Sequence, residues 1–347
     1  MGAAAGLARG GTDAGDITVS GENITLRNFA ISADADTGAD AQVTLTAGRT
    51  GTSMGSIVTV LADDNDNDDD AELFGDSLDL IVNGGGIGNL AGVTQDVSVS
   101  TGTDVDVDAE GNVFLRGVGS NGLQVGVITV TNNDVRLEST SSITDAEGVT
   151  STDVAGANEL TLNAVSGIGA TGTPDALEID TTTLRADNTT SGGVFVNSQG
   201  IGGLTVTDIQ ENGGGGVEIR GGEDITIELI DASGGPGDVL VDTNGSINAN
   251  VDPAVDILGA NITLIADAGG IDILDVTATT SFSADTSDDN SNIVIDSIGA
   301  LPVGNIDAGT GNVTLNSTGA MTDADADVGG ADSTVNVTAD TLTLTGD

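Results

Sequence analysis

The chain has 347 residues, with 55 acidic side chains against seven Arg and no Lys, a formal net charge of −48, and neither His, Cys, Trp nor Tyr. A field this negative repels nucleic acid and anionic membranes, whose phosphates need Lys or Arg clusters. The missing residue types remove thiol nucleophiles, disulfides, Schiff-base lysines and imidazole bases, so any enzyme here would run on carboxylates alone.

Of the acids, 44 are Asp and 11 are Glu, a ratio that opposes helix because Asp prefers caps and turns. Gly, at 53 residues, is roughly twice its average usage, while only four Pro argue against collagen or a Pro-rich linker. Apolar content of 37% supports a core, but 1% aromatics implies a narrow one, lined by Val, Ile and Leu. No run approaches a membrane span.

Residues 1–15 read as an N-terminal cap or leader, Ala-rich enough for a short helix over the first ten. The segment Met1–Arg9 lacks a basic start followed by an apolar stretch, so it does not read as a secretion signal. The chain is expected to be a segment of something longer.

From residue 16 to 347 a single repeat domain is expected. Short apolar runs alternate with small polar residues at Ile17–Val19, Ile24–Leu26, Val43–Leu45, Ile57–Leu61 and Leu78–Val82. They continue through Val113–Leu115, Val127–Val130, Val135–Leu137, Leu160–Leu162, Leu204–Val206, Val217–Ile219 and Val239–Val241 to Ile262–Leu264, Ile293–Ile295 and Val313–Leu315. Period-2 alternation marks strands with one buried face, and Gly, Asn and Asp between them suit tight turns. The stronger runs recur about every 22 residues, the spacing of a repeat architecture whose units bury their apolar faces only against neighbours.

The segment Gly311–Asp347 shows the unit most fully, with runs at Val313–Leu315, Val335–Val337 and Leu342–Leu344. Its first sixteen residues align without gaps to Asn133–Gly148, sharing Val135, Leu137, Thr144, Asp145 and Ala146 among seven identities. An all-β parallel solenoid is expected, of roughly fifteen coils of about 20–25 residues, stacked at about 4.8 Å to a rod near 70 Å long. An antiparallel sandwich is the rival fold; it wants closer turn signals and a buried Trp or Tyr.

Acidic insertions at 63–71 and 285–292 interrupt the pattern and read as loops. Within the first, Asp64, Asp66, Asp68 and Asp70 alternate like the early ligands of a calcium loop, although Asp69 and Gly75 stand where a helix-loop-helix site needs Gly and Glu. A looser calcium site is weighed there against a solvated loop, and calcium is the only cofactor expected. Gly117–Gly122 and Gly167–Gly172 match G-x-G-x-x-G, but neither opens a helix, so both read as turns. Phe29, Phe74, Phe114, Phe195 and Phe282 are spaced near multiples of two coils, as stacked residues of one wall or as single core fillers.

Phrases such as Asp16-Ile17-Thr18-Val19, the run Asn261–Ile271 (NITLIADAGGI) and the run Val337–Leu344 (VTADTLTL) resemble the filamentous-haemagglutinin type of repeat. The resemblance implies a right-handed parallel β-helix from a very large bacterial exoprotein, an adhesin or surface-structural protein. On that basis a non-catalytic structural or adhesive rod segment is expected, extracellular or on the cell surface. Its partner would be a cell-surface or matrix component, with neither nucleic acid binding nor membrane insertion. The alternative is a subunit that assembles end to end with itself into an extracellular, calcium-dependent filament. Catalysis by paired carboxylates is a third class, disfavoured because no His, Lys or Arg cluster stands beside the acids.

Overall fold

The computed structural model describes residues 7–8, 16–26, 31–32, 42–48, 55–59, 73–88, 97–148, 151–172, 175–235, 237–250, 254–324 and 335–346. β-Branched and Leu residues alternating with small polar ones give 28 strands there. Among the described residues no helix is long and apolar enough to cross a membrane. The chain divides into two compact units, Met1–Thr181 and Thr182–Asp347.

In the first unit Ile17, Val43, Leu78, Val105 and Val125 stand in one in-register parallel column. A second column on the same wall runs Leu45, Leu80, Val107, Ile128 and Val154. The second unit repeats the device with Val194, Val217, Val239 and Ile262. These apolar residues are all buried, so each coil covers the apolar face of the one before it. The strand Val239–Thr243 shows the period directly, with every second side chain buried. Parallel pairing throughout these columns makes the protein a β-solenoid and excludes the antiparallel sandwich.

The solenoid has about 11 turns rather than fifteen. Two features of the chain lower the count. Some coils carry long excursions: Val43 meets Leu78, and Val313 meets Leu342, one coil on, whereas Val217 to Val239 keeps the expected spacing. In addition, runs that read as separate strands share one. Val127–Val130 and Val135–Leu137 both lie in the strand Leu123–Ser139.

Leu7–Ala8 is extended and pairs in parallel with Ile31–Ser32, where a short helix was expected. The acidic insertion at 63–71 lies outside the described residues. The one at 285–292 is a turn closed on itself. Thr286 is buried and its Oγ1 donates to the Ser291 carbonyl at 2.7 Å, while the Ser287 N–H donates to Asp285 Oδ1 at 2.9 Å. Both G-x-G-x-x-G stretches are turns. At Gly122 φ is +71°, and a Cβ would stand 2.1 Å from the Ser142 carbonyl oxygen of the next coil, so only glycine fits.

The described phenylalanines do not form one wall. Phe282 points inward between Ile262 and Val303. Phe114 alternates with the inward Val113 and Leu115 and so faces out, yet it is buried because the Arg136 guanidinium lies 4.8 Å above its ring.

Candidate functional site

A solenoid with 55 acids must bury some of them at its corners, and the chain does so in two contrasting ways. Glu211, 0% exposed, is satisfied by donors. Its Oε1 accepts from the Gly213 N–H at 2.7 Å and the Asn188 amide at 3.1 Å, and its Oε2 from the N–H groups of Gly214 and Gly216. The run Gly213–Gly216 allows this, because bare backbone can wrap a carboxylate.

The other solution gathers acids together. In the first unit Asp145 closes the strand Ile143–Asp145, Asp153 precedes the strand Val154–Ala164, and Glu178 lies between Leu177 and Ile179. One carboxylate oxygen from each lies within 4.8 Å of the others. Asp153 is 1% exposed and Glu178 0%.

Backbone pairing sets the geometry. The Asp153 N–H donates to the Glu178 carbonyl at 2.8 Å, and the Glu178 N–H donates back to Asp153 Oδ2 at 2.7 Å. Asp145 Oδ1 accepts the Glu147 N–H at 2.7 Å, while its Oδ2 is buried without a hydrogen-bond partner among the described residues.

Burial pushes the Asp153 carboxyl up to about 8. The Glu178 N–H bond opposes that rise, and the charges of Asp145, Glu178 and Glu147 add to it. Such a group cannot carry its full negative charge in a low dielectric; it holds protons or a hard, oxygen-liganded cation of the calcium or magnesium kind.

Half of the arrangement recurs in the second unit. Asp256, 2% exposed, accepts the Asp275 N–H at Oδ2 at 2.7 Å, and its own N–H donates to the Asp275 carbonyl at 2.8 Å. An Asp that clasps the next coil through both side chain and backbone is therefore a corner device of this solenoid, and Asp153 is one instance. What sets the first unit apart is the company of Asp145 and Glu178.

The sequence-predicted ligands Asp64, Asp66, Asp68 and Asp70 lie outside the described residues. The cluster of Asp145, Asp153 and Glu178 was not anticipated, since its members follow no ligand spacing. The one legible signal was Leu177-Glu178-Ile179, an acid inside an apolar run, where all three side chains prove buried.

Arginines pair with acids along their own strand and, at one position, across to the next coil. Arg220 bonds to Glu218 at 2.7 Å and to Asp242 one coil on, and Arg136 pairs with Glu138. No protein-family model, curated protein or solved structure matches the chain.

Proposed function

We propose that the chain is a non-catalytic structural or adhesive segment of a large extracellular bacterial surface protein of the filamentous-haemagglutinin type, its solenoid a scaffold presenting acidic side chains to the surroundings. The observation that carries this reading is the in-register column of buried Val, Ile and Leu, which recurs coil after coil in both units. Sequence of this kind is spent on stacking, each coil using the same positions for the same packing task. The repeat phrases Asp16–Val19, Asn261–Ile271 and Val337–Leu344 support the family type. The net charge of −48 suits a surface that stays solvated and apart from its neighbours.

The test is where the protein lies. Antibodies raised against the purified chain should label intact, unpermeabilised cells that carry it, and external protease should remove the label. Labelling that appears only after permeabilisation would overturn the reading.

A further inference from the structure

We draw no further inference here: the strongest candidate, the corner cluster of Asp145, Asp153 and Glu178 in the first unit, belongs to the site already described and rests on its acidic side chains alone, with nothing further among the described residues that points to a ligand.

Discussion

Asp153 and Glu211 show how differently one kind of side chain behaves when a coil closes over it. The Glu211 carboxyl group accepts from four donors. Glu211→Ala should strip the Gly213, Gly214 and Gly216 N–H groups of their acceptor, most costly at the buried Gly216, at about 1–3 kcal/mol for each left unsatisfied, while the Asn188 amide keeps the Ser191 and Gly192 carbonyls. Glu211→Gln should cost less, because one oxygen still accepts. Urea unfolding followed by circular dichroism measures both, since a chain without Trp or Tyr offers little fluorescence. Asp153 carries the opposite expectation. Its carboxyl rises from the ordinary value in the unfolded chain to about 8 in the folded one, so between those values the folded state holds a proton that the unfolded state has released. Its contribution is therefore fully present at low pH and is lost as pH climbs toward about 8, at no more than about 1.4 kcal/mol per pH unit. Burial also raises Asp79 and Asp187, helped by Asp106 and Asp108 in one case and Asp208 in the other, so the slope has several contributors of one sign. Asp153→Asn should flatten it between about pH 5 and pH 8. Parallel slopes for parent and variant would show that the cluster is already neutralised by something other than protons.

At the scale of the strand, alternation decides what each residue is worth. Ile219 is 0% exposed and stacked between Val196 and Val241, whereas Leu240, one residue before Val241, points outward and is only partly covered. Ile219→Ala should cost about 2–5 kcal/mol in urea unfolding through lost burial and an unfilled cavity. Leu240→Ala should cost under about 1 kcal/mol. Equal costs would mean that the assigned faces are wrong. This alternation is what made the strands legible: Val217–Ile219 and Val239–Val241 are read from sequence in the places where the fold puts them. Their grouping into coils was less legible, because a strand such as Leu123–Ser139 turns a corner at Asn132, where φ is +52°, and shifts register there while its pairing carries on. The buried acid cluster was hardest to read. Asp145 and Glu178 become neighbours only through stacking, and apart from the apolar neighbours of Glu178 nothing marks these acids out in an Asp-rich chain as ones that will be covered. Arg136 over Phe114 was hidden for the same reason, its partner lying a full coil away.

Across the whole molecule the net charge of −48 sets a penalty that every coil shares, because like charges recur one strand spacing apart, well within a Debye length. The melting temperature should therefore rise with NaCl. The calcium expectation at Asp64, Asp66, Asp68 and Asp70 is tested on the same curves. A gain from CaCl₂ beyond NaCl at matched ionic strength, lost when those four become Asn, would support it, and interchangeable salts would end it. The stacking itself is open to a more direct measurement, since the chain has no Cys of its own. Thr226 and Asn248 are in-register partners on adjacent coils, and Asp272 is the partner of Asn248 one coil further on. Adjacent parallel strands lie about 4.8 Å apart, inside the Cα separation a disulfide spans, whereas two coils are well outside it. Under mild oxidation the double variant Thr226→Cys/Asn248→Cys should form an intrachain disulfide nearly to completion, and Thr226→Cys/Asp272→Cys should remain reduced. A disulfide in the second variant and none in the first would contradict the parallel, coil-on-coil register on which the account rests.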